Sequence, residues 1–307
     1  LQTHGSRQCR FRAVRLKKQK KSVNICFAVN EQYALPLRNA IYSLVKCVNT
    51  ARCYDILVMT KGLSDEAMTK IRRVIENHDN VSIRFIDMSI YEKEYLDGVI
   101  PLQHYLSVET DYRLFLATEM FSEYEKMIYL DCDILVLKDV AELYDSDLAG
   151  MAVGAVVEYS FRFWDYCKNP LFIDNEPYSI RSYCKNIVGV PSLEDYFNAG
   201  VLLFDLTLFR RLTTIEDMMI ALTQKHFLMN DQDVLNHLIK GDFKRLDVEW
   251  NYLNIYEFFR EGNNKELKEK FGDERKTVIE YSADEMNAED FYSDDPMIIT
   301  ISHFGYI

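Results

Sequence analysis

No run of eighteen or more apolar residues occurs in this 307-residue chain, so the sequence offers no candidate transmembrane helix. Its basic first segment also lacks the apolar core of a signal peptide. Internal repeats and low-complexity linkers are missing, and nothing marks off an independent second domain. The seven cysteines (Cys9, Cys26, Cys47, Cys53, Cys132, Cys167 and Cys184) show neither paired nor metal-type spacing. An odd, scattered set in apolar surroundings reads as reduced core thiols in a cytoplasmic setting. Hydrophobic residues make up 48% of the chain, enough for a sizeable core in one large α/β domain or two closely packed lobes.

Acidic residues are absent from positions 1–21, which hold Arg7, Arg10, Arg12, Arg15, Lys17, Lys18, Lys20 and Lys21. Setting those eight charges aside takes the net charge from −12 for the chain to −20 for the remainder. So acidic a body repels polyanions, which argues against nucleic acid as its partner and requires a cation to bring in any phosphate ligand. The leader reads as disordered, with three explanations open. It touches acidic lipid headgroups at the inner face of a membrane, it is a nucleic-acid tail, or it comes from outside the native reading frame, since the chain starts at Leu1.

Apolar runs alternate with helical periodicity along the rest. Strands are expected at 23–29, 56–59 and 81–86, with a helix at 33–48 and another running from a Ser64 cap to about 77. Residues 107–125 read as helical, 127–130 as a buried strand, and 151–157 as a further strand. The stretch 159–194, rich in Tyr, Phe, Asn and Pro, reads as an excursion from the core. Strand character returns at 195–206, helices at 213–225 and 231–240, a solvated helix or loop at 260–276, and a closing strand at 297–301. Such alternation gives βαβ units and a largely parallel sheet.

Chemistry concentrates where the strand at 127–130 ends, in Asp131-Cys132-Asp133. In extended chain, residues i and i+2 point to one side, so both carboxylates reach one ion while Cys132 faces away. Ligands of open α/β sheets bind beyond the carboxyl ends of strands. A plain Asp-rich turn is the bland alternative, but two acids directly after four apolar residues are costly to bury unless they hold something. Phosphatases of the haloacid dehalogenase type also place Asp-x-Asp after an apolar strand, with Thr or Val two residues beyond. Here that position is Leu135, and the motif comes late in the chain.

Several separated stretches, in order from about Asn24 onward, resemble glycosyltransferase family 8, which includes bacterial lipopolysaccharide galactosyl- and glucosyltransferases and glycogenin. They are Ile25 to Ala34, Asp111-Tyr112-Arg113-Leu114-Phe115 (similar to a Tyr-x-Arg-Leu helix), Tyr129 to Asp133, Phe197-Asn198-Ala199-Gly200-Val201, Asn230 to Asn236, and Ser302-His303-Phe304-Gly305. The resemblance implies a GT-A-type nucleotide-diphospho-sugar transferase: a Rossmann-like, mixed, mainly parallel sheet flanked by helices, forming one domain over residues 22–307. It further implies retaining, metal-dependent transfer of galactose or glucose from UDP-galactose or UDP-glucose to a saccharide or glycolipid acceptor such as lipopolysaccharide. Asp131, Asp133 and His303 are then the ligands of Mn²⁺, or less well Mg²⁺, a mixed oxygen and nitrogen set. Donor contacts fall on Ala28, Asn30, Tyr33, Arg113, Asp131, Cys132, Asp133, Asn198, Ala199, Gln232, His303 and Gly305.

Gln232, with Asp231 beside it, is the expected catalytic pair, and Asp231 and Asp233 are candidates for holding sugar hydroxyls. Read singly, Tyr33 also suits core packing, Asp231 a helix cap and Arg113 a structural ion pair. Glu158 falls where the family places an acid facing the acceptor, and the aromatics Tyr159, Phe161, Phe163, Trp164 and Tyr166 offer stacking surfaces or lid packing. Family members follow the His motif with Lys-Pro-Trp, whose lysine contacts the diphosphate. This sequence stops at Ile307, before such a residue, and on that reading a longer chain binds donor more tightly. A non-catalytic sugar-nucleotide-binding protein is the alternative of a different class. A sugar-nucleotide-forming nucleotidyltransferase is disfavoured because its Gly-rich N-terminal loop is missing.

Overall fold

The computed structural model describes residues 22–96, 107–168, 170–173, 176–224, 227–253 and 298–300. The leader 1–21, the stretch 260–276, His303, Gly305 and the chain end lie outside them. The strands are β1 Ser22–Val29, β2 Cys53–Thr60, β3 Val81–Asp87, β4 Lys126–Leu130, β5 Ile134–Val136, β6 Val153–Val157, β7 Leu171–Ile173, β8 Glu176–Tyr178, β9 Phe197–Asp205, β10 Lys244–Arg245 and β11 Ile298–Thr300. Seven of them form one sheet in the order β10-β6-β9-β4-β1-β2-β3. The pairs β1–β2, β2–β3, β1–β4 and β6–β10 are parallel, while β9 runs antiparallel between β4 and β6. The sheet is therefore mixed and mainly parallel.

Both faces of this sheet are covered, as parallel sheets require. All eight residues of β1 are buried, and its alternate side chains serve two cores. Cys26 and Ala28 pack with Tyr112, Phe115 and Tyr196, whereas Ile25, Phe27 and Val29 pack with Leu37, Ile41 and Leu44. Those three leucine and isoleucine residues form the apolar stripe of helix α1, Ala34–Cys47. Helix α2, Asp65–Val74, is capped as expected: Ser64 Oγ accepts from the Ala67 N–H at 3.1 Å, and Glu31 in turn holds Ser64.

Four features differ from the sequence reading. Residues 107–125 form 3₁₀ turns, Val108–Ala117 and Glu119–Phe121, in place of one α-helix. Six consecutive residues, Asp111 to Leu116, are buried there, and the Thr110 and Thr118 hydroxyls bond carbonyls three residues back. A segment with no solvent face has no amphipathic period to follow. The excursion 159–194 contains helix α3, Tyr159–Cys167, and the antiparallel β7–β8 hairpin. Strand β5 was not anticipated; it pairs antiparallel with β11, placing Thr300 opposite Ile134, one residue beyond Asp133. Finally, Cys26, Cys132 and Cys184 are buried thiols but Cys53 and Cys167 are exposed, so the thiols are not uniformly core residues. Among the described residues no helix is long and apolar enough to cross a membrane.

Candidate active site

Arg113 is the hub. Its guanidinium is 4% exposed and touches three separate elements. One amino group donates to Asp131 Oδ1 at 2.8 Å and the other to the carbonyl of Ala199 on β9. Nε donates to the Thr110 carbonyl at 3.0 Å and lies 2.9 Å from Asp231 Oδ2, an ion pair whose N–H points elsewhere. The planar group also stacks over the Tyr129 ring, 4.3 Å from its centroid. A planar five-donor fork is the side chain that holds such a set at once. Asp131 and Asp231 outweigh the effect of burial and raise the Arg113 pKa, so it stays charged.

Asp131 and Asp133 lie in the bend between β4 and β5 rather than in continuous strand. Asp131 keeps 29% of its side chain exposed while paired with Arg113. Gly200 lies close against it: the Asp131 N–H donates to the Gly200 carbonyl at 2.8 Å, and a Cβ at Gly200 would meet Asp131 Oδ2 and Asn198 Oδ1, each at 3.0 Å. Glycine is what permits this approach. Burial, then the neighbouring Asp131, pushes Asp133 up to about 7. Burial raises Asp131 too, against the pull of Arg113 and the Tyr129 hydroxyl. Two carboxylates crowded until one holds a proton near neutrality form a site that a divalent cation would relieve, and hard oxygen donors suit such an ion. Among the described residues no group of three His, Cys, Asp or Glu side chains is arranged around a metal position, and His303 lies outside them. The Cys132 thiol faces away, donating to the Ala28 carbonyl at 3.0 Å.

Helix α4, Asn230–Ile239, brings up Gln232. It opens with Asn230 at φ +40°, a conformation Asn tolerates better than most residues. The Gln232 carbonyl oxygen accepts from the Ala199 N–H at 2.8 Å; its amide nitrogen lies 3.4 Å from both Glu158 Oε2 and the Tyr196 hydroxyl. Glu158 is buried and accepts from Ser160 and, at 2.6 Å, from Asn198 Nδ2, while Asn198 Oδ1 accepts from Gly200 N and Asn251 Nδ2. Asp231 does not cap the helix: the cap position is Met229, with no side-chain cap bond. Burial pushes Asp231 up to about 7, opposed by Arg113. Asp233 is fully buried and accepts from the Tyr183 and Tyr196 hydroxyls and the Met229 N–H, so it presents no surface to a sugar hydroxyl. That corrects the expectation for Asp233: its role is to lock helix α4 to the excursion.

On the other side of Arg113, Asn30 Oδ1 accepts from Tyr33 N and its amide donates to Glu109. Tyr33 is half-buried near the aspartates; burial, then Asp133, raises its pKa. The sequence reading missed Asn251, Glu109 and Asp111 as members of this network. Asp111 is fully buried, and neither carboxyl oxygen has a hydrogen-bond partner among the described residues. Burial, then Asp231, raises its pKa well above the carboxylate range. The acidic position two before the arginine was visible as a departure from the Tyr-x-Arg pattern, and that was its only signal.

A mixed, mainly parallel sheet with carboxylates just beyond the end of its central strand is the architecture of GT-A glycosyltransferases. Residues 24–286 match the profile of Glycosyl transferase family 8, and the chain belongs to that family. It is 26% identical over 236 residues to a putative glycosyltransferase of Haemophilus influenzae, covering 76% of this chain and 64% of that protein. It is 25% identical over 260 residues to lipopolysaccharide 1,2-glucosyltransferase of Escherichia coli, covering 84% of this chain and 68% of that one. The chain thus spans less than two thirds of the Haemophilus relative's length. Among solved structures, galactosyltransferase LgtC in complex with donor and acceptor sugar analogues superposes with a TM-score of 0.60 at 23% identity, covering 91% of this chain and 86% of that one. That likeness bears on the fold.

Proposed function

We propose that the protein is a retaining, metal-dependent hexosyltransferase that moves galactose or glucose from a UDP-sugar to a glycan acceptor, lipopolysaccharide or another cell-surface saccharide. The observation that carries this reading is the convergence on Arg113 of Asp131, the Ala199-Gly200 backbone and the helix that bears Gln232. One side of that hub offers carboxylates for a cation, the other offers close backbone and amides for a sugar. The reading keeps Asp131, Asp133 and His303 as holders of Mn²⁺, supported by the pairing of Thr300 beside Ile134 on the strand that leads to His303. Bound there, the ion neutralises charge on the leaving diphosphate. Ala28, Asn30 and Tyr33 are assigned to the nucleoside, and Gly305 to the diphosphate side.

Gln232 acts by position. Its carbonyl oxygen, the only nucleophilic atom of the amide, is engaged by the Ala199 N–H, and an amide so held is a poor attacking group. This favours a front-face reaction. The acceptor hydroxyl attacks the anomeric carbon on the side of the departing phosphate, the glycosidic bond to that phosphate breaks, and the phosphate oxygen takes the hydroxyl proton. Asp231, paired to Arg113, fixes the helix start that presents Gln232. The intact carboxylate pair and the fully assembled amide network speak against a non-catalytic binder on the same fold. The reading is completed by a cytoplasmic location with membrane contact through the basic leader. Metal-dependent UDP release from UDP-galactose and UDP-glucose, with proton NMR of the anomeric configuration of the product, tests it. An inverted product removes the front-face mechanism, and binding without turnover supports the non-catalytic alternative.

A further inference from the structure

The excursion carries a second concavity, none of whose lining residues belongs to the network around Arg113. It measures about 400 Å³ and its walls include Trp164, Asp165, Lys168, Tyr178, Ile180 and Arg181, within the size range of small-ligand pockets. Its walls are of two kinds. Trp164 and Tyr178 offer aromatic faces. Opposite them, Arg181 grips Asp165 Oδ2 through Nε at 2.9 Å and a terminal nitrogen at 2.8 Å. Lys168 Nζ lies 3.7 Å from the other oxygen, Asp165 Oδ1, so one carboxylate is shared by two cations, and the guanidinium and ammonium keep donors to spare for hydroxyl oxygens. A polyol suits such a pocket: pyranose C–H faces stack on aromatic rings, and hydroxyl oxygens accept from the guanidinium and ammonium that flank the carboxylate.

The pocket is tied to the catalytic helix by packed rings. Trp164 stacks on Phe161 with centroids 5.5 Å apart and an interplanar angle of 29°, and Phe161 lies 4.5 Å from Tyr196. Those two steps put the Trp164 ring within 10 Å of the Tyr196 ring. The Tyr196 hydroxyl donates to Asp233 and lies 3.4 Å from the Gln232 amide nitrogen. We infer that this pocket is a saccharide subsite, holding a unit of the acceptor glycan other than the one that receives the transferred sugar. The inference rests on the reading of the protein as a transferase with a saccharide acceptor.

The test begins with binding, without any UDP-sugar. The chain has two tryptophans; Trp250 is buried beneath Lys138, so a Trp250→Phe background leaves Trp164 as the sole indole emitter. Maltotriose, lactose and triacetylchitotriose are titrated alongside glucose and galactose. At least one oligosaccharide shifts the Trp164 emission saturably, and Arg181→Ala, an exposed position that folding tolerates, weakens that binding about fivefold. In transfer assays Trp164→Ala and Arg181→Ala raise KM for the oligosaccharide by a similar factor, leaving KM for the UDP-sugar and acceptor-free UDP release unchanged. No saturable shift with any of these sugars, in protein that still releases UDP, overturns the subsite. So does an equal effect of Arg181→Ala on monosaccharide and oligosaccharide acceptors. Absence of UDP release from the unmutated protein overturns the transferase reading itself, and the acceptor assignment with it.

Discussion

Asp111→Asn should stabilise the protein, and by an amount that grows with pH. The carboxyl is wholly buried, no described group hydrogen-bonds either oxygen, and burial, then Asp231, raises its pKa well above 3.8. In the unfolded chain it ionises near its ordinary value. Below that pH both states hold the proton and aspartate matches asparagine. As pH rises, the unfolded state gives up its proton first, so the folded state is progressively disfavoured until pH passes the raised folded value. Asparagine has the same shape and no such titration. Each pH unit between the unfolded value and the raised folded value costs the folded state about 1.4 kcal/mol, and in a chain of this size 1 kcal/mol moves Tm by about 2 °C. The substitution should therefore leave Tm unchanged near pH 4 and raise it by about 3 °C for each such unit, with the full gain reached by pH 8 if the folded value is passed there. Thermal unfolding followed by circular dichroism, without added metal, reads both values. A pH-independent shift, or a lower Tm at pH 8, would show that ionised Asp111 is a stabilising partner of Arg113 and refute the reasoning.

Gly200→Ala brings a methyl group to 3.0 Å from Asp131 Oδ2 and Asn198 Oδ1; Mn²⁺ affinity, measured by electron paramagnetic resonance, should fall about tenfold. Arg113→Lys keeps the charge but cannot span Asp131, Ala199, Thr110 and Asp231 together, so urea denaturation should show a loss of roughly 3 kcal/mol; a loss under 1 kcal/mol would demote the hub. Gln232→Ala should lower kcat about a hundredfold while KM for the UDP-sugar changes less than about threefold. Full transfer activity in that variant ends its assignment.

Much of the fold was legible because the signals were local. Apolar residues fill β1 except at Ser22 and Asn24, and β4 except at Lys126, so a buried parallel strand was the reading for β1 and a direct lead into Asp131 for β4. The clustering of Asp131, Arg113, Ala199 and Gln232 followed from motif order and is present in the structure. What stayed hidden depends on long-range geometry. Nothing near Asn251 announces its bond to Asn198, 53 residues away, and nothing near Asp233 announces its bonds from the Tyr183 hydroxyl of the excursion and the Tyr196 hydroxyl just before strand β9. The 3₁₀ winding of Val108–Ala117 was illegible for a different reason: six consecutive buried side chains erase the helical period on which sequence reading depends.

The central claim is that Asp131 and Asp133 anchor the ion that carries a UDP-sugar to Gln232. It is tested most directly by UDP release from UDP-galactose and UDP-glucose with and without Mn²⁺, in the unmutated protein and in Asp133→Asn. The account predicts Mn²⁺-dependent release from at least one of the two sugars, abolished by a chelator and lost in Asp133→Asn while the variant remains folded. Undiminished release in Asp133→Asn, or equal release with the ion chelated, would contradict it.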